Sequence, residues 1–178
     1  MVAPATGNGG GRKVTVLGFP VHNIELETVV RRLMSVLSGE EQGRLRVVTL
    51  NPEMVMEGLN DPELGVALYH ADLVVPDGIG IVWALRRAGF PQQHRVTGVD
   101  LVETILRAPG ADGLRIFLLG GKPGVSEAAT ANLQRRWPDL QVVGYHHGFF
   151  SPAESGKVVA LINRTQPDLL LVGMGVPR

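Results

Sequence analysis

Short runs of valine, leucine and isoleucine alternate along this chain with longer stretches whose apolar residues recur every three or four positions, and that alternation narrows the possible folds more than any other property. Strand-like runs fall at Val14–Leu17, Arg46–Thr49, Asp72–Val75, Arg115–Leu119, Gln141–Tyr145 and Asp168–Gly173. Helical patterns fill the intervals at Leu26–Leu37, Pro52–Leu59, Pro62–His70, Ile79–Ala88, Asp100–Arg107, Val125–Trp137 and Pro152–Thr165. Each crossover is long enough for a parallel connection, and near-continuous apolar strands are those buried on both faces. The pattern therefore predicts an α/β fold: a doubly wound, mostly parallel six-stranded sheet with helices on both faces, Rossmann-like in plan. The 178 residues, 44% of them apolar, suffice for one continuous core, so residues 13–178 are expected to form a single domain. Residues 1–12 are rich in Gly, Ala and Pro and lack the apolar stretch of a secretory signal, which predicts a disordered leader.

Several function classes are set aside by composition. Seventeen Lys and Arg against seventeen Asp and Glu leave no net field for a polyanion, and no nucleic-acid partner is expected. The absence of cysteine removes disulfides, thiol nucleophiles and Cys-ligated zinc, in keeping with a reducing cytoplasm. No stretch reaches the roughly 18 apolar residues of a membrane span, so any membrane contact is expected to be peripheral.

Ligands of open parallel sheets bind beyond the carboxyl ends of the strands, and five loops at that edge carry unusual residues. They are Thr49–Glu53, Pro76–Gly80, Leu119–Gly124, Tyr145–Phe150 and Gly173–Pro177, which one sheet would gather along one rim. Asn51 and Asp77 fit two roles, as caps of the helices that follow or as groups facing a ligand. Gly78 and Gly80 suit either a tight helix start or close ligand approach. Gly120 and Gly121 serve either an αL turn or the approach of backbone N–H groups to a phosphate. Arg95 is either a solvated surface charge or a guanidinium that grips two phosphate oxygens. Adjacent histidines such as His146 and His147 in an extended segment point to opposite faces, which argues against a shared metal ion. Asp100 is expected to cap the helix of Leu101–Leu106, and Trp83 and Trp137 to pack on the core or a helix face.

The run T-L-N-P-E-M-V at 49–55, A-D-L-V-V-P-D-G-I-G-I-V at 71–82 and R-V-T-G-V-D-L at 95–101 together resemble the WecG/TagA/CpsF glycosyltransferase family. L-L-G-G-K-P-G-V, G-Y-x-x-G-F-F and P-D-L-L-L-V-G-M-G-V-P continue the likeness, which extends over Val14 to Arg178 and is nearest to the TagA-type N-acetylmannosaminyltransferases of wall teichoic acid priming. The resemblance implies inverting transfer from UDP-N-acetylmannosamine to the 4-hydroxyl of N-acetylglucosamine on undecaprenyl diphosphate, at the cytoplasmic membrane face, with no cofactor beyond the UDP-sugar. Asp77 is expected to act as the base. Arg95 is expected to serve catalysis by binding the acceptor diphosphate or neutralising leaving-group charge. Thr49 and Asn51 would line the acceptor site, with Gly78 beside them. Gly120, Gly121 and Lys122 would meet the donor phosphates, and Gly148 and Phe149 would flank the nucleotide.

No Asp-x-Asp occurs anywhere in the chain, which predicts transfer without a metal ion. A nucleotide-dependent oxidoreductase is disfavoured because Gly18-Phe19-Pro20-Val21, not G-x-G-x-x-G, follows the first strand. The alternatives carried forward are a non-catalytic sugar-nucleotide-binding module and a family member using another donor, of the UDP-ManNAcA or UDP-glucose type. The sequence stops at Val176-Pro177-Arg178, where family members continue with Gln-Glu and a helical tail thought to close the site and engage the membrane. Without that tail, exposed apolar surface is expected to favour a homo-oligomer.

Overall fold

The computed structural model describes residues 11–175. The chain divides near Ile105 into two compact units. The first opens with a hairpin, β1 (Arg12–Val16) and β2 (Phe19–Asn23), joined by Leu17 at φ 48° and Gly18 at φ 94°. Positive φ at both central positions is the turn whose twist suits two antiparallel strands. Helix α1 (Leu26–Leu37) follows, burying Val29, Val30 and Leu33 on one side. Then come β3 (Val47–Leu50), α2 (Pro52–Asn60), α3 (Pro62–Tyr69), β4 (Leu73–Pro76) and α4 (Ile79–Arg87). α2 and α3 each start with a side-chain cap followed by proline: Asn51 Oδ1 accepts the Met54 N–H at 2.8 Å, and Asp61 Oδ1 accepts that of Glu63 at 2.9 Å.

β3 and β4 pair in parallel, Val47 to Leu73 through Leu50 to Pro76. Their amino ends are tied by Arg46, whose N–H donates to the Asp72 carboxylate at 2.7 Å and whose guanidinium donates to the His70 carbonyl at 2.8 Å. The core beneath contains Val14, Phe19, Val21, Leu50, Val55, Leu68, Val74, Ile81 and Leu85. β2 is fastened to β4 by a side chain: Nδ1 of buried His22 accepts the Val74 N–H at 3.0 Å.

Helix α5 (Gly98–Arg107) runs to the division, beyond which lie β5 (Arg115–Gly120), α6 (Val125–Arg136), β6 (Gln141–His146), α7 (Pro152–Thr165) and β7 (Leu169–Gly173). These strands form a parallel sheet in the order β6-β5-β7. Arg115 repeats at its amino edge what Arg46 does in the first unit, donating from its backbone to Asp168 at 2.9 Å and from its guanidinium to the Thr165 carbonyl at 2.6 Å. Phe117 is fully buried and occupies the space a side chain on Gly144 would need, where the β5–β6 register shifts by one residue.

The α/β class and the parallel pairing agree with expectation, but the six-stranded sheet does not form. The ladders are a β1–β2 pair, a β3–β4 pair and three strands in the second unit. For β1 the physical reason lies at Leu17-Gly18. Their positive φ values turn the chain straight back, so β1 takes an antiparallel partner absent from the expectation. Of the expected leader, residues 1–10 lie outside the described residues, whereas Arg12 already belongs to β1. Helix α5 starts at Gly98, capped by Thr97, whose Oγ1 accepts the Asp100 N–H at 3.0 Å; the expected capping by Asp100 is thereby corrected.

Candidate active site

The predicted site residues divide between the units, and each group stands at the carboxyl edge of its own parallel strands. In the first unit Thr49 lies in β3, with Asn51 directly after it, while Asp77 follows β4 and its N–H donates to the Leu50 carbonyl at 2.8 Å. Gly78 is the cap residue of α4 at φ 108°, and a Cβ there would sit 3.1 Å from Pro52 Cδ and 3.8 Å from Asn51 Cβ. Only glycine combines that backbone angle with that approach. The consequence concerns Asp77: since Gly78 occupies the cap, no side chain caps α4, and the Asp77 carboxylate is not committed to a helix.

Arg95 is brought to Asp77 by the connection between α4 and α5. The Val96 N–H donates to the Pro76 carbonyl at 2.8 Å, pinning that connection to the end of β4. Arg95 Nε then lies 4.0 Å from Asp77 Oδ1, with the Asp77 side chain 28% exposed. Among the described residues, Arg95 has no other ion pair and its side chain is 54% exposed, so its terminal nitrogens are potential donors to an anion. The same connection is held from behind by Gln93, 1% exposed. Its Oε1 accepts the Ile24 N–H at 3.0 Å, and its Nε2 donates to the carbonyls of Ile24 at 3.1 Å and His94 at 2.6 Å. Gly98 completes the cluster, its Cβ position 3.5 Å from Thr49 Oγ1. Asn51 does serve as a cap, which engages its Oδ1 and leaves its amide nitrogen as the group able to meet a ligand.

In the second unit, Gly120 and Gly121 close β5 with φ of 144° and 69°. The Gly121 N–H donates to the Gly173 carbonyl at 3.1 Å, and the Gly148 N–H donates to the Gly121 carbonyl at 2.8 Å. A Cβ on Gly120 would overlap the Gly173 carbonyl, so these glycines let three loops meet backbone to backbone. The expectation that Gly121 offers its N–H to a phosphate is corrected, because Gly173 already takes it. What remains available to an anion is the start of α6, whose cap residue Gly124 supplies no side chain, and exposed Lys122, which makes no ion pair among the described residues. Phe149 is 45% exposed beside Gly148, and its N–H donates to His147 Nδ1 at 3.3 Å. The rings of His146 and His147 lie 4.5 Å apart instead of on opposite faces, since β6 ends at His146 and the chain turns there. Among the described residues no three His, Cys, Asp or Glu side chains converge as metal ligands would. An open groove of about 480 Å³ between α6 and β6, lined by Glu127, Thr130, Gln134, Val142 and Tyr145 among others, includes none of the predicted residues.

Sequence reasoning missed Gln93, Thr97 and Gly98. The one available signal was their adjacency to Arg95, since nothing in a glutamine or glycine marks it as an anchor of a neighbouring side chain.

Comparison with known proteins shows which family the chain belongs to. The family model described as "Glycosyl transferase WecG/TagA/CpsF family" matches residues 14–178. Two curated relatives from Staphylococcus aureus, of strains MRSA252 and NCTC 8325 / PS 47, are both named N-acetylglucosaminyldiphosphoundecaprenol N-acetyl-beta-D-mannosaminyltransferase. Each is 32% identical over 166 residues, covering 93% of this chain and 65% of the relative, so the chain spans about two thirds of the relatives' length. The match takes in both residue clusters, and the chain belongs to the WecG/TagA/CpsF family of glycosyl transferases.

Proposed function

We propose that this chain is the catalytic core of an inverting glycosyltransferase that moves N-acetylmannosamine from UDP-N-acetylmannosamine to the 4-hydroxyl of N-acetylglucosamine on undecaprenyl diphosphate, building the linkage unit of wall teichoic acid at the cytoplasmic face of the membrane. The observation that carries this is the uncommitted carboxylate of Asp77, partly open to solvent with Arg95 at 4.0 Å. In a single displacement the acceptor oxygen forms a bond to the anomeric carbon as the bond to UDP breaks, and the acceptor proton passes to the base. Asp77 is that base. Thr49 Oγ1 and the Asn51 amide orient the acceptor sugar by hydrogen bonds, a role that converts binding into reaction geometry. Arg95 takes phosphate oxygens through its terminal nitrogens. Lys122 and the start of α6 receive the donor diphosphate, and the Gly148–Phe149 turn flanks the nucleotide.

The reaction proceeds without a metal ion in this reading, supported by the lack of an Asp-x-Asp pair in the sequence. The names of the relatives support the lipid-linked acceptor and the sugar transferred. The test is transfer by the full-length protein in EDTA, comparing wild type with Asp77→Asn. Asparagine keeps the shape but cannot take a proton, so turnover should fall by about 10²- to 10⁴-fold while UDP-sugar binding persists. Turnover that survives the substitution removes Asp77 from the mechanism. Binding without turnover in either protein favours the sugar-nucleotide-binding module, and turnover with another UDP-sugar alone reassigns the donor.

A further inference from the structure

Helices α4 and α5, which begin beside the loops carrying Asp77 and Arg95, expose side chains that solvent would not select. Ile79 is 81% exposed, Val99 70% and Trp83 63%. Ile79 follows Gly78, which abuts Asn51 and Pro52, and Val99 follows Gly98, which abuts Thr49. Both apolar side chains therefore flank the loops that carry the polar residues of the site. Along α4 the exposed residues Ile79, Trp83 and Arg87 recur every fourth position, a stripe spanning about 80° of arc and about 12 Å of helix. The opposite side of α4 buries Ile81, Val82 and Leu85, so this helix has an apolar face in the core and another outside. The outer face ends in charge. Arg86 and Arg87 occupy the last turn, and the Arg87 guanidinium lies 5.8 Å from the centre of the Trp83 ring. A purely solvated helix face would be polar along its length.

We propose that the outer face of α4, together with Val99, rests on an anionic lipid surface and so holds Asp77 at the level of the headgroups. Tryptophan with adjacent arginine is a combination suited to the membrane interface: the ring and arginine stem lie among apolar groups, and the guanidinium meets phosphates. Arg86 and Arg87 in the last turn of α4, with exposed Arg95 elsewhere in the same unit, supply cations complementary to such phosphates. This inference rests on the lipid-linked acceptor of the proposed function. A sugar diphosphate whose polyprenyl chain stays in the bilayer reaches Asp77 without leaving the membrane only if the apolar rim meets the lipid.

Trp83 is its own reporter. In the full-length protein with Trp83 as the sole tryptophan, vesicles of phosphatidylcholine with phosphatidylglycerol should shift its emission to the blue, and brominated acyl chains should quench it. Vesicles of phosphatidylcholine alone should do so much less. The double change Ile79→Ser and Val99→Ser should weaken vesicle partitioning by at least about tenfold, leaving turnover of a water-soluble short-chain acceptor unchanged. Vesicle binding with Trp83 unquenched overturns the proposal, as does undiminished binding by the double variant. Concentration-dependent shielding of Trp83 without lipid would assign the face to a second copy of the chain and overturn it too. If Trp83 is quenched but no acceptor is glycosylated, the catalytic reading fails while the docking surface stands; transfer with Trp83 still in water has the converse meaning.

Discussion

Replacing Gln93 by leucine isolates the anchor that positions Arg95. The side chain is 1% exposed and makes three hydrogen bonds, two of them to the main chain of Ile24, which is 4% exposed. Leucine fills a similar volume but strands the N–H and carbonyl of Ile24 and removes the donor to His94. A buried polar group left without a partner costs about 1–3 kcal/mol, and the His94 carbonyl is only part-buried, so unfolding free energy should fall by about 2–5 kcal/mol. Urea unfolding followed through Trp83, with Trp137→Phe to silence the other ring, reads the loss in the unit that contains Gln93. Gln93→Glu adds a sign test. Its carboxylate still accepts the Ile24 N–H but opposes two carbonyl oxygens, which disfavours the charged form and raises the folded pKa above the unfolded value of about 4.3. The penalty is therefore full at neutral pH and shrinks as pH falls through the folded pKa toward the unfolded one. A loss under about 1 kcal/mol for leucine, or a glutamate variant whose deficit relative to wild type grows on acidification, refutes the assignment of Gln93 as an anchor.

Two further outcomes complement the Asp77 and Trp83 experiments. Burial holds the His22 imidazole below its usual pKa, opposed by its Val74 backbone contact and reinforced by the charges of Lys13 and Arg32. Because the unfolded state binds the proton more readily, stability is full above about pH 6.5 and declines as pH drops toward the depressed folded pKa, with a slope of at most about 1.4 kcal/mol per pH unit from this residue. Urea titrations at pH 7.5 and 5.5 should show a smaller decline for His22→Gln than for wild type; equal declines would remove His22 as the cause. Gly120→Ala should cost more than Gly124→Ala, because the first meets the Gly173 carbonyl as well as a positive φ, whereas the second has open space and only the φ strain of about 1–2 kcal/mol. Equal thermal or urea stability of the two variants would show that the β5–β7 end yields without cost.

Wherever the deciding interactions are local, the sequence read true. Helices Leu26–Leu37 and Pro152–Thr165 have the ends expected of them, since apolar spacing and nearby turn chemistry are written in consecutive residues. The positions of the other six described strands, though not of β2, the carboxyl-edge loops and the family likeness were legible for the same reason. Strand partners were not, because pairing depends on backbone angles such as φ 48° at Leu17, which no leucine announces, and on contacts far apart in the chain. Asn51-Pro52 and Asp77-Gly78 look alike as helix starts, yet tertiary structure made one a cap and left the other an open carboxylate. The difference is that Gly78 takes the cap position at φ 108° against Pro52, a contact between segments some 26 residues apart (78 minus 52). Nothing in the local sequence marks Gln93 or His22, yet folding buries them against main-chain groups of Ile24 and Val74. Which polar residues face a substrate and which merely satisfy the backbone is thus decided by long-range hydrogen bonding, the part of the energy that consecutive residues do not encode.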